Sequence, residues 1–161
     1  MEQQEPPAEA GWQALEAIRQ VKARYFRLVD AKDWNGLAQV FTPDARFDRG
    51  CGSSARNPVT GEWPGAEPQP DIVEGREEVI AMIRRAVEHL WTIHQGFMPE
   101  LTLLGSDNAE GIWAMSDDLR GADGRRLFLG RGHYHDTYRR EQGVWRIASS
   151  RLTRLHIEKG N

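Results

Sequence analysis

Five side chains stand out as able to move a proton or hold an oxygen: Tyr25, Asp30, His94, Asp117 and Arg154. An imidazole such as that of His94 needs little perturbation to act as a base near neutral pH. A carboxylate bonded to one ring nitrogen would fix its tautomer and stabilise the imidazolium. The plainer alternative is a histidine capping the end of a helix. Tyr25 and Asp30 lie five positions apart, about 140° around an ideal helix, so they cannot share a face of a straight one. Asp30 therefore belongs at a helix end, where the chain turns inward. Tyr25 can then donate to a leaving hydroxyl or a developing oxyanion; otherwise it is a core aromatic and Asp30 a surface acid.

Asp117 shares strand parity with Trp113 and Met115, which suits an acid or a substrate anchor, or else a solvent-facing strand end. Arg154 shares parity with Ser150 and Leu152 and can bind an anionic or carbonyl oxygen, or pair with Asp117. His133 and His135 project to one side of a strand, but no third ligand stands at a convincing spacing, so no metal is expected. Tyr134, on the opposite face, is the better pocket candidate. Cys51 carries no mark of a nucleophile.

The elements that must position these residues follow from periodicity. Leu15, Ile18, Val21 or Lys22, Tyr25 and Leu28 or Val29 recur at helical spacing from about Ala10, fading near Asp30. Asp33 is the expected N-cap of a short helix over Trp34–Phe41, ended by Pro43, with a short strand over Ala45–Asp48. Residues 49–71 form a long Gly-, Ser- and Pro-rich loop, either a lid with Trp63 as its plug or a tolerated insertion. A second amphipathic helix runs from Gly75 to near Trp91, with Val79, Ile83, Ala86, Val87 and Leu90 on one face. Four antiparallel strands follow: Phe97–Leu104, placed at an edge or bulge by Pro99, then Ala109–Leu119, and a long hairpin over Arg125–Leu155 turning at Glu141-Gln142-Gly143. In that hairpin Trp145, Ile147 and Ser149 share one parity. Both faces carry large side chains, so both need covering. The plan is α+β: a curved antiparallel sheet with N-terminal helices, forming a cone with an internal pocket.

At 161 residues, one domain is expected over 11–158, after a disordered N-terminus over 1–10. A formal net charge of -3 gives no electrostatic case for nucleic acid. Six tryptophans suit a core or cavity built from rigid surfaces. The single cysteine fits a reducing cytoplasmic setting, and no apolar run approaches a membrane span.

Tyr25-Phe26-Arg27-Leu28-Val29-Asp30, Asp33-Trp34 and Phe41-Thr42-Pro43-Asp44-Ala45 resemble the opening of SnoaL-like proteins. So do Gly75-Arg76-Glu77, Thr92-Ile93-His94 and the close Gly132-His133-Tyr134-His135-Asp136 with Gly143-Val144-Trp145-Arg146-Ile147. These belong to the nuclear transport factor 2-like cone superfamily, which includes scytalone dehydratase, bile acid 7α-dehydratase, hexachlorocyclohexane dehydrochlorinase, polyketide cyclases and ketosteroid isomerase. The resemblance implies an Asp–His pair at Asp30 and His94, as in the dehydrochlorinase. From the bile acid enzyme it implies a tyrosine at Tyr25, an acid at Asp117 and a late arginine at Arg154 or Arg151. The scytalone enzyme has a second histidine where this chain has Asp117 or Asp118, which argues against the same substrate.

Two functions follow. The first is a cofactor-independent lyase of the dehydratase or elimination type acting on a small, mainly apolar cyclic substrate. Its base would be His94 oriented by Asp30, with Tyr25, Asp117 and Arg154 at the departing oxygen and Tyr134, Trp113, Met115 and Trp63 around the ring. Isomerisation or cyclisation needs the same proton abstraction. The second is a non-catalytic binding or association cone. The apolar residues of the outer sheet face favour a homodimer or homotrimer.

Overall fold

The computed structural model describes residues 8–160. The chain runs α1 (Ala8–Asp30), α2 (Trp34–Ala38), β1 (Phe41–Asp48), β2 (Ile72–Glu74), α3 (Arg76–Val87), β3 (Trp91–Gly96), β4 (Glu100–Leu103), β5 (Asn108–Arg120), β6 (Arg126–Glu141) and β7 (Val144–Lys159). The first helix ends on Asp30 as its periodicity requires, and both Val21 and Lys22 lie on its buried stripe. It is described from Ala8, and residues 1–7 of the expected N-terminal segment fall outside the described residues. Asp33 caps α2 by accepting from the Gly36 N–H at 2.9 Å.

Seven strands form one sheet in the order β2-β1-β7-β6-β5-β3, with β4 also paired to β5. The sheet is mixed, not wholly antiparallel, because β1 runs parallel to β7, with Phe47 opposite Ser150. The intervening chain is long enough to return β7 in either direction, so local pattern does not decide it. Three further boundaries differ. β1 starts at Phe41 and absorbs Pro43 in a register irregularity. The strand expected over Phe97–Leu104 is shorter, β4 alone (Glu100–Leu103), and it is set apart from β3 (Trp91–Gly96) by a break at Phe97–Pro99, where Pro99 has no N–H for a ladder. α3 stops at Val87, so Trp91 already opens β3 and His94 lies within a strand rather than at a helix end.

The hairpin turns on Gln142 and Gly143, both with positive φ (51° and 78°), the two-residue turn that matches strand twist. Along β7 two bulges shift the pairing: Tyr138 faces Ile147 but Thr137 faces Ser149, and Gly132 faces Arg154 but Arg131 faces His156. The first bulge reverses the alternation, so Ser150 rather than Ser149 points inward with Trp145 and Ile147. The concave face carries Trp113, Met115, Tyr134, Tyr138, Ile147 and Leu152, packed against Ile18, Val21, Tyr25, Phe26 and Val29 of α1. At Gly132 the strands approach so closely that a Cβ would collide with the Thr153 carbonyl oxygen.

Gly132→Ala should therefore cost about 2–3 kcal/mol, roughly 5–10 °C in Tm, by forcing backbone apart at the second bulge. Gly65→Ala, with open space around it, should melt like the parent. Equal melting of the two variants by calorimetry would refute the close approach.

Candidate active site

Asp30 and His94 meet because the last residue of α1 abuts the edge strand β3. Asp30 Oδ1 stands 2.6 Å from His94 Nδ1 and also accepts from the Thr92 hydroxyl at 2.9 Å. Its other oxygen accepts from the His94 backbone N–H at 2.8 Å. An ionised carboxylate only accepts, so the hydrogen of a neutral ring is assigned to Nδ1 and the lone pair to Nε2. The His94 side chain is 7 % exposed and that of Asp30 26 %. Lys32, at positive φ, donates to the Thr92 hydroxyl at 2.8 Å and extends the chain of bonds. Partial burial lowers the Lys32 ammonium's affinity for its proton, and Asp30 opposes that shift.

Tyr25 and Tyr134 lie inside the cone, fully buried, with ring centroids 5.8 Å apart and edge to face. Burial holds the Tyr25 hydroxyl well above the ordinary phenol range; a hydrogen bond from Tyr134 pulls it down, and the carboxylates of Asp136, Asp117 and Asp30 push it up again. Burial raises the Tyr134 hydroxyl as well. Both are therefore phenols, hence donors, at neutral pH.

Asp117 and Arg154 are paired, the simpler of the two arrangements expected for them. Nη1 and Nη2 of Arg154 reach the two Asp117 oxygens at 2.7 and 2.8 Å, with both side chains buried. Arg154 Nε donates to the Gly52 carbonyl at 2.9 Å, and Nη1 approaches Met115 Sδ at 3.5 Å. A Cβ at Gly130 would strike both members of the pair, so only glycine leaves room for it. Asp117 is thus an acceptor in a two-pronged ion pair rather than a free acid, and the whole guanidinium fork is in use.

A second buried ion pair was not among the residues the sequence singled out. Lys22 Nζ stands 2.7 Å from Asp136 Oδ2, with both side chains fully buried. Tyr138 donates to Asp136 at 2.8 Å, Ser150 at 2.7 Å, and Trp113 Nε1 donates to the Tyr138 hydroxyl at 2.8 Å. The signal was present: Lys22 on the apolar stripe of α1, and Asp136 at an inward position between Tyr134 and Tyr138. Trp113 is thereby a member of this network as well as of the wall.

The interior where an apolar pocket is expected is filled by Tyr25, Phe26 and Tyr134, whose rings contact one another. Of the four cavities described, none is lined by Tyr25, Asp30, His94, Asp117 or Arg154. Trp63 does not plug the cone; it lines a groove between residues 53–64 and the end of β7. The loop instead reaches the site at its start, where Gly52 meets Arg154 and Ala55 bridges to β7. His133 and His135 lie on the other side of the sheet, their rings 6.3 Å apart, with His135 Nε2 3.0 Å from the Thr153 hydroxyl. No helix among the described residues is long and apolar enough to cross a membrane.

Comparison with known proteins agrees with this architecture. The probable cyclase FGR4 of Gibberella zeae is 24% identical over 149 residues, covering 89% of this chain and 93% of its own. A protein of unknown function from Mycobacterium tuberculosis superposes with a TM-score of 0.71 at 24% identity, covering 92% of this chain and 76% of that one. The hexachlorocyclohexane dehydrochlorinase LinA-type3 of Novosphingobium barchaimii LL02 gives 0.72 at 17% identity, covering 95% and 94%. At these identities the structural likeness is one of fold. The model of the SnoaL-like domain matches residues 12–151, nearly the whole described chain, and the protein belongs to the SnoaL-like family.

Proposed function

We propose that this protein is a cofactor-independent enzyme that removes a proton beside an activating group on a small, mainly apolar cyclic molecule and expels the neighbouring hydroxyl as water. The observation that carries the reading is the 2.6 Å contact between His94 Nδ1 and an Asp30 carboxylate whose second oxygen is tied to the same residue's backbone. His94 Nε2 takes the proton, and the C–H electron pair becomes the new double bond. The leaving hydroxyl departs with the proton from the imidazolium, so the base is restored. Tyr25, a phenol throughout, donates to the oxygen that gains charge. Arg154 is already committed to Asp117 and Gly52, so the arginine acts through the loop. Isomerisation or cyclisation starts from the same abstraction, and one relative bears the name of a cyclase.

The filled interior favours a second reading, a non-catalytic association cone. The two are separated by solvent deuterium exchange next to the carbonyl of cyclic ketones, followed by mass spectrometry. Proton abstraction predicts exchange that falls about 10²–10⁴-fold in His94→Ala and in Asp30→Asn. Exchange no faster than in buffer, or unchanged in His94→Ala, would leave the association cone.

On the enzyme reading, the bond from Arg154 to the Gly52 carbonyl ties the start of loop 49–71 to the interior, and its release would loosen that loop. The chain's one cysteine, Cys51, is partly exposed beside it and reports on that release. Arg154→Lys keeps a cation for Asp117 but gives up the Nε–H to Gly52. Alkylation of Cys51 by N-ethylmaleimide should then accelerate about tenfold, the equivalent of one charge-assisted hydrogen bond. Identical rates in the two proteins would show that Arg154 does not hold the loop.

A further inference from the structure

Proton abstraction as described makes no use of Lys22 and Asp136, although both are charged and cut off from water. A buried ion pair is seldom more stabilising than apolar side chains of the same volume, so stability alone does not explain it. Its placement is specific. The Lys22 ammonium lies 3.7 Å from the ring centroid of Tyr134 and 4.6 Å from that of Tyr25, with Phe26 at 5.3 Å. Among the described residues its ion-pair partner is Asp136, and the ammonium otherwise lies over ring faces. Asp136 is itself held from two further sides by Tyr138 and Ser150, so the cation cannot move away from the rings. Burial weakens the ammonium's hold on its proton, and Asp136 counters this.

We propose that Lys22 is a positioning residue for the reaction: its ammonium, clamped by Asp136 against the faces of Tyr25 and Tyr134, makes their hydroxyls stronger donors to a substrate oxygen that turns negative. This rests on the proton-abstraction reading. A cation on the ring face stabilises the negative charge that builds on a phenol as its O–H is shared with an acceptor, and the dry interior leaves that field little screened. The carboxylates of Asp136, Asp117 and Asp30 all bear on Tyr25, and each opposes negative charge there. Arg154, paired with Asp117, also favours negative charge on Tyr134, but Lys22 is the ammonium that lies against the ring faces of both tyrosines.

The probe is 4-nitrophenol, an apolar ring whose oxygen is coloured only when ionised. Lys22→Met alone strands the Asp136 charge and is expected to unfold, so the neutral pair Lys22→Met/Asp136→Asn is compared with the parent after circular dichroism confirms the fold. The parent should ionise bound 4-nitrophenol about one pH unit lower than the neutral pair does, tenfold in the ionisation constant. Binding with equal ionisation in both overturns the role of Lys22 and leaves proton abstraction standing. Absence of binding to the parent removes both. Independently of any variant, carbon-13 spectra of the three lysines read the charge on Lys22 at pH 7. An ammonium supports the proposal, and a neutral amine overturns it.

Discussion

A charge taken out of water is tolerated only beside its partner, and the interior of this cone obeys that constraint twice, where Arg154 meets Asp117 and Lys22 meets Asp136; the Asp30 carboxylate, partly exposed, is met by the His94 ring. Each contact joins two elements: β7 to β5, α1 to β6, and α1 to β3. Breaking either buried pair leaves an uncompensated charge, so the pairs hold the helix and the sheet at one separation and one rotation. The aromatic packing around Tyr25, Phe26 and Tyr134 then follows from where α1 is fixed. The short contact between Asp30 and His94 is set by the same placement of α1 against the sheet.

What could be read from the chain was whatever lies within one element. The end of α1 at Asp30, the Asp33 cap, the long hairpin and the inward parity of Asp117 each depend on neighbours a few positions away. What escaped is long-range. Nothing in the sequence near Ala148 announces the bulge that turns Ser150 rather than Ser149 inward. The parallel pairing of β1 with β7 is a topological outcome, and the contact of Gly52 with Arg154 brings a loop to a strand a hundred residues later. Asp30 and His94 were each visible as candidates, yet their union came from a family resemblance, because no periodicity links residues in different elements. Lys22 and Asp136 were legible as polar residues at inward positions, a local contradiction of the kind that marks a functional or strained site.

The two ion pairs beside the dyad also change the meaning of its surroundings. Asp117 and Arg154 look like an acid and an anion binder when considered singly; together they form a neutral strut, extended to the loop through Gly52. The tyrosines are left as the uncharged donors in the interior. On the proposed reading, an interior that keeps its charges paired with one another and offers phenols as donors would suit an apolar substrate, since little water need be stripped from the protein.

The parallel neighbours β1 and β7 have a consequence for how the molecule comes into being. On a growing chain β1 emerges roughly a hundred residues before the strand that will lie beside it, and α1 waits as long for Asp136. During that interval α1 can already meet α2 and β3, but its lysine has no carboxylate to pair with, and the closing hairpin is the event that supplies one.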